Sequence, residues 1–411
     1  MKILYREIVV PFNGGGIIMT LPLEGIRVLD LSRYLPGPFC TQVLADFGAE
    51  VIKVEDPKGG DLGRWLPPLI NGESARFYTV NRNKKSITLD MRQNKGKEIL
   101  KKLVADCDVV IDQFRPGVMD KLGLGYEVLC QVNPAIIYCA ITGYGQNGPM
   151  RDAAGHDLNY LSLSGVIDLT GTQDGKPAMS GVQIADVPGG TLYAIISILL
   201  ALLKRNQTGK GDYCDIAMLD GAVSLLAYTL GEWSGWGKLP ERGNDVLTGG
   251  YACYNVYPTR DKKYVTLGAI EDKFWAQFCN LLQKNEYVPW QWEPERQKEI
   301  KQDITEIMLN KDRDEWVEFF ADHDICFTPV LNLEEMVNHP QIKARDMIYK
   351  LENVKDSGKE VVLTGIPIKL SDTPGEVILE FPELGEHNEE ILLQAGFSRA
   401  DIEEFQKDKV I

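Results

Sequence analysis

The sequence predicts an α/β protein: a Rossmann-like parallel-sheet large domain joined to a smaller α+β domain. Three observations lead there. Residues 26–55 read strand, helix, strand, and a βαβ unit of about thirty residues implies parallel strands. The same alternation continues to residue 142. Around 235–262 the composition shifts to Gly, Trp, Tyr and turn residues, as in a linker, and 411 residues exceed what one hydrophobic core ordinarily serves.

The elements follow in order. "IRVLDLS" (26–32) reads as a buried strand, "GPFCTQVLADFG" (37–48) as a helix closed by Gly48, and "AEVIKVE" (49–55) as the next strand. Then come the strand "SITLDM" (86–91), the helix "KGKEILKKLVADC" (95–107), the strand "DVVIDQF" (108–114), a short helix over Val118–Leu122 and the strand "AIIYCAIT" (135–142). No GxGxxG follows the first strand; its turn, "SRYLPGP", weighs against a dinucleotide site. After Thr191 runs an apolar helix capped by Gly209. The strand "KYVTLGAI" (263–270) and helices over 272–283 and 313–323 supply the second core. A return segment, "TPVLNLEEMVNHPQIKAR", leads to a strand-rich tail from Val361 and the acidic helix "EHNEEILLQAG". The expected division is an N-terminal extension (1–20), a large domain (21–220), a linker with the small domain (221–329), and a return segment completing the large domain (330–411). Within the extension, three glycines precede Met19; it reads either as a flexible arm or as a translated ribosome-binding stretch ahead of a second start.

A net charge of −15 argues against nucleic acid or anionic membrane as the main partner. The longest apolar run, 192–203, is shorter than the ~20 residues that span a bilayer, so no membrane segment is expected. The eight cysteines form no CxxC and no paired spacing with histidine. No metal site and no disulfide framework are expected, and a cytoplasmic, reducing compartment suits them. Among four histidines, His156 stands in "GHDLNYLSLSG" (155–165), where a helix begins. By themselves the polar candidates stay open. Asp186, two residues before Pro188, suits a helix cap as well as catalysis; His156 suits a packed or solvated ring as well as an acid–base group; Glu271 suits a helix's first turn.

Taken together, "LPLEGIRVLDLSRYLPGPFCTQVLADFGAEVIKVEDPKGGDLGR", "NRNKKSITLDMR", "QFRPG", "ITGYGQNGP", "GHDLNYLSLSG", "IADVPGG" and "TGKGDYCDIAM" resemble the family III CoA transferases and their sister branch, the 2-methylacyl-CoA racemases. The match runs in order from about Leu21 to the "LGEHNEEIL" at residue 384. The resemblance implies the family III CoA transferase fold and an interlocked homodimer, with each active site between the large domain of one chain and the small domain of the other. Both branches place an aspartate at the position of Asp186, as a nucleophile in transferases and a base in racemases. The racemase branch adds a "GHD", here His156, and an "AIE", here Glu271. The resemblance therefore implies His156 and Asp186 as the catalytic pair, with Glu271 fixing the histidine tautomer.

That assignment has a chemical logic. Inverting a carbon beside a thioester carbonyl requires one group to remove a proton, another to return one to the opposite face, and donors such as helix N-terminal N–H groups for the enolate oxygen. CoA also brings phosphates, which arginines in strand-end loops suit. Candidates are Arg33, Arg64, Arg82, Lys84, Lys85, Arg92 and Arg115, although "NRNKK" also reads as a solvated basic run. The resemblance favours Arg82, Arg92 and Arg115 for the nucleotide part and implies Tyr144 and Gly145 near the pantetheine or thioester. Asp157 and Tyr160 suit a place lining the same site as well as one facing the core. CoA is part of the substrate, and no further cofactor is expected. The expected function is racemisation of a 2-methylacyl-CoA. The alternatives are a CoA transferase working through covalent Asp186 intermediates and a non-catalytic CoA-ester-binding protein.

Overall fold

Continuous runs of Val, Ile and Leu build the sheet of the larger unit. The computed structural model describes residues 21–411, so the N-terminal extension lies outside the described residues. Strands β1 (Arg27–Asp30), β2 (Glu50–Glu55), β3 (Lys84–Thr88), β4 (Val109–Asp112), β5 (Ile137–Thr142) and β6 (Asp212–Ala217) form one sheet in the order β3-β2-β1-β4-β5-β6. Every neighbouring pair is parallel. Parallel strands are covered on both faces and so read as unbroken apolar runs; β4 and β5 are buried at every residue. Leu29 pairs with Ile52 on one side and Val110 on the other. One face of the sheet packs with Leu100, Leu103 and Leu129 and, from the chain's last two helices, Ile391, Leu392, Ile402 and Phe405. This strand order reverses direction between β1 and β4, and in such sheets ligands bind beyond the strand ends at that point.

The helix after β1, α1 (Pro36–Asp46), starts on two prolines, which need no amide partner in a first turn. Helix α2 spans Asp157–Ser164. Beyond a short helix at Val166–Leu169, a π-helical turn, Ala185–Leu192, runs directly into α3 (Tyr193–Thr208), closed by left-handed Gly209. The run is longer than the sequence reading allowed. Ala185–Thr208 is 24 residues, and its most apolar 18-residue stretch has a mean hydropathy of 1.8, enough by length and composition to cross a membrane. Here one face of it, through Ala194, Ile195, Ile198, Ala201 and Leu202, is buried in the unit's core. The π turn packs backbone to backbone on α4 (Met218–Ser224): a Cβ on Gly221 would lie 2.2 Å from the Gly189 carbonyl oxygen.

Two compact units divide the chain. The larger comprises the described residues up to Leu161, Gln183–Leu225 and Gln341–Ile411; the smaller comprises Ser162–Val182 and Leu226–Pro340. Residues 162–182, read from sequence as part of the large domain, thus group with the smaller unit. That unit holds an antiparallel sheet of β7 (Tyr254–Pro258), β8 (Tyr264–Gly268) and β9 (Phe327–Pro329), with β8 central. Its core stacks Trp275 on Phe278, Phe278 on Phe320 and Trp316 on Phe320. The tail is less strand-rich than expected. Val361–Thr364 pairs only with Ile348–Leu351, and the chain then runs without strands to the two closing helices.

Beneath the β1 and β2 loops lies a buried set of six charges. Lys84 Nζ donates to Asp30 Oδ2 (3.1 Å), to the Pro38 carbonyl (2.8 Å) and to Asn81 Oδ1 (2.9 Å). Lys53 Nζ donates to the Ser32 carbonyl (3.0 Å) and lies 2.9 Å from Asp61 Oδ2. Arg64 clasps Glu55 with two bonds of 2.8 Å. Burial pushes the Asp30 carboxyl up, but Lys84 and Lys53 outweigh it and hold the group well below the usual carboxylate range. Three cations thus answer three anions, the condition under which buried ions are tolerated. Replacing Asp30 with Ala should strand Lys84 and cost about 3–5 kcal/mol, read as a lower urea midpoint. A loss below about 1 kcal/mol would show that the network relaxes freely.

Candidate active site

The switch point between β1 and β4 is where the loops carrying the arginines meet. Tyr34 takes a left-handed backbone (φ 65°) and donates its N–H to Asp61 Oδ1 at 3.1 Å. Gly37 N–H donates to Gln113 Oε1 (3.2 Å), and the Arg33 guanidinium lies over the Phe114 ring at 4.8 Å. Arg115 borders a cavity of about 190 Å³ whose other walls include Asp112, Phe114, Tyr126, Tyr138 and Gln146. Arg33 and Arg115 are exposed and carry no ion pair among the described residues.

The other predicted cations are occupied to different degrees. Arg64 and Arg82 do not belong to a ligand surface. Arg64 is closed by Glu55, the Pro382 carbonyl and the Phe77 ring. Arg82, 1% exposed, is clamped by Asp46 at 2.9 and 2.7 Å and donates to the Thr364 carbonyl. A guanidinium whose fork already faces a carboxylate has no planar edge left for a phosphate. Lys84 is likewise internal, and Lys85 pairs with Glu50 and Glu390. Arg92 is exposed and shared between Asp90 and Asp56.

At the end of β5, Tyr144 meets Tyr160 edge to face, with ring centroids 5.1 Å apart. The Tyr160 hydroxyl donates to the Gly155 carbonyl (2.6 Å). Gly143 and Gly155 have to be glycine, because a Cβ on either would sit within 2.7 Å of a tyrosine ring or hydroxyl atom. Gly145 is left-handed, and its N–H is taken by Thr142 Oγ1 at 3.0 Å. His156 follows this aromatic pair with its side chain exposed and its N–H donated to Asn159 Oδ1 (3.0 Å). Sequence reading passed over Asn159, although a short polar acceptor three residues after a helix entry is a capping signal.

Asp186 comes from the π turn and is held from the histidine segment. Asp157 Oδ1 accepts the N–H groups of Ala185 (2.7 Å) and Asp186 (3.0 Å). π turns of this kind often mark functional positions. Burial pushes the Asp186 carboxyl up to about 6, the Asp157 charge adds to the rise, and His156 draws it back. That brings the carboxyl into the range where imidazoles ordinarily titrate. Burial, with Asp186 and Tyr144 beside it, also pushes the Tyr160 phenol up to about 12, while Arg115 opposes. One expectation fails here. The first N–H groups of the π turn are not free for an enolate oxygen, since Asp157 takes two and the Gln183 carbonyl accepts that of Val187. Glu271 belongs to the smaller unit, where it is exposed and precedes the helix Asp272–Leu281 without a side-chain capping bond.

A six-stranded parallel sheet whose strand order reverses between β1 and β4 defines an α/β protein of the doubly wound class. The chain belongs to CoA-transferase family III, whose model matches residues 23–388. It is 35% identical over 397 residues to alpha-methylacyl-CoA racemase of Homo sapiens, covering 95% of this chain and 98% of that one. It is 34% identical to succinyl-CoA--D-citramalate CoA-transferase of Chloroflexus aurantiacus, with 95% and 98% covered. A crystal structure of a CAIB/BAIF family protein from Brucella suis superposes with a TM-score of 0.80 at 34% identity, covering 92% and 100%. The chain is thus an enzyme of the family III CoA-transferase and racemase group, with racemases and transferases at similar distance.

A raised carboxyl makes a stability prediction. Between the ordinary carboxylate range and about pH 6 the folded chain keeps a proton on Asp186 that the unfolded chain releases, so this group's contribution falls as pH rises through that window and is level above it. Asp186→Asn should therefore gain about 1–2 kcal/mol over wild type at pH 7.5. The gain should nearly disappear at pH 3.5, where the carboxyl is neutral in the folded chain and mostly neutral in the unfolded one. Thermal unfolding at the two pH values checks it; a variant less stable at both would show that burial does not disfavour the charge.

Proposed function

We propose that the chain racemises 2-methylacyl-CoA thioesters at C2 by two-base proton transfer. The observation that carries this reading is a half-buried Asp186, raised to about 6 and drawn back by His156, on a turn tied to the histidine segment by the two N–H bonds to Asp157. One group takes the C2 proton, its electron pair passing into an enolate whose charge rests on the thioester oxygen. The other returns a proton to the opposite face as the carbonyl re-forms. In the reverse direction the roles exchange, which requires proton affinities close to each other. A transferase needs only the carboxylate, so the histidine favours the racemase reading. CoA enters as part of the substrate, its phosphates toward Arg33 and Arg115. In this reading the chain works as a homodimer in which Glu271 of a second copy orients His156. The exposed apolar face of α3, with Ile196, Leu199, Leu200 and Leu203, suits such burial.

Deuterium entry at C2, followed separately for the R and S esters without any acceptor acid, tests the chemistry. Wild type should label both. His156→Ala should label one enantiomer without inverting it, Asp186→Asn only the other, and both should lose racemisation by at least about 10²-fold. A transferase would instead lose acyl transfer with Asp186→Asn, tolerate His156→Ala and label neither ester.

The arginine assignment is tested separately. Arg115→Leu should weaken CoA esters by about 1.5–3 kcal/mol while leaving N-acetylcysteamine esters, which lack the nucleotide, within about twofold. Equal weakening of both would assign Arg115 to the fold.

A further inference from the structure

We propose that Asp157 is the positioning residue that joins the two proton-transfer groups into one device. The proposal rests on the racemase reading and deepens it. Asp157 follows His156 directly in the chain, at the start of α2, and its carboxylate grips the main chain at the other group through the N–H of Ala185 and of Asp186 itself. Any displacement of the π turn relative to the histidine must therefore stretch those two bonds. The segment is braced behind: Asn159 accepts the His156 N–H, and the Tyr160 hydroxyl closes on the Gly155 carbonyl. The π turn is braced on its far side by the Thr191 hydroxyl donating to the Pro36 carbonyl at 2.7 Å and by the Gly189–Gly221 contact. Asp157 thus links the two braced pieces through its side chain.

Its charge has a second consequence. The titratable groups that bear on Asp186 are Asp157, His156 and, through its phenol, Tyr160, all from one short stretch of chain. Helices α1 and α4 meet the π turn with a carbonyl, Met218 and glycine backbone. An acceptor at position 157 without a charge would hold the turn but leave Asp186 more acidic. A neutral acceptor and no acceptor are therefore separable substitutions, Asp157→Asn and Asp157→Ala.

The test uses the full chain with carboxyl-labelled aspartate, following the Asp186 titration by NMR with Asp186→Asn to assign the signal, together with C2 deuterium entry against pH. Asp157→Asn should lower the Asp186 midpoint and move the acid limb of exchange to lower pH, with the maximal rate within about tenfold of wild type. Asp157→Ala should also lose about 10²-fold in maximal exchange, because the turn is no longer fixed. An unmoved midpoint in Asp157→Asn overturns the proposal, as does Asp157→Ala exchanging as fast as Asp157→Asn. If Asp157→Ala does not fold, the midpoint in Asp157→Asn decides. If wild type labels neither ester, the racemase reading fails, and the NMR midpoint still reports whether Asp157 governs Asp186.

Discussion

Six buried charges under the ends of β1 and β2 shape the ligand side of the sheet. Lys53 and Lys84 sit in a dry interior where each ion loses several kcal/mol of hydration, and only the matching carboxylates and carbonyls make that tolerable. Their bonds do not merely close on one another. Lys84 takes the Pro38 carbonyl at the start of α1, Lys53 takes the Ser32 carbonyl, and Asp61 takes the Tyr34 N–H. The loop between β1 and α1 is thus traced by buried charges, which is how a tyrosine is kept in a left-handed conformation that costs an ordinary residue about 1 kcal/mol or more. An apolar filling of equal volume would support the sheet but would leave that loop without its contacts.

Asp186 and His156 differ in their surroundings. Asp186 is raised because its turn lies against glycine backbone and a neighbouring carboxylate, whereas His156 stands exposed. Placing a carboxylate in a disfavoured environment costs stability, and the fold offsets this with two N–H bonds to Asp157 and close packing of the π turn on α4. The π turn itself follows from that packing: Gly189 and Gly190 leave no side chain between the turn and Met218 or Gly221, so the backbone is free to widen.

Much of this was legible in the linear sequence. The alternating apolar runs predicted β1, β2, β4 and β5 to within two or three residues at each end, because strands buried on both faces have no other composition open to them. Position 84 was less legible. "NRNKK" reads as a solvated basic run, yet Lys84 and Arg82 point inward to Asp30 and Asp46, and Lys85 points out to Glu50 and Glu390. Side chains alternate along a strand, and a charged residue on the inner face looks the same in sequence as one on the outer face. For the same reason the arginines could not be sorted. Arg64 and Arg115 both follow strand ends, but only Arg64 has a glutamate nine residues earlier that the fold brings alongside.

What the sequence determined by itself is the order of elements, the parallel sheet and the chemical types present at positions 156 and 186, since these are set by local periodicity and by residue identity. What only the tertiary structure decided is which charges are available. Whether an arginine faces a ligand or a buried carboxylate, and whether an aspartate rests near its usual acidity or near 6, depends on burial and on partners distant in the chain. Those are long-range electrostatic quantities, which a linear pattern of side chains does not contain.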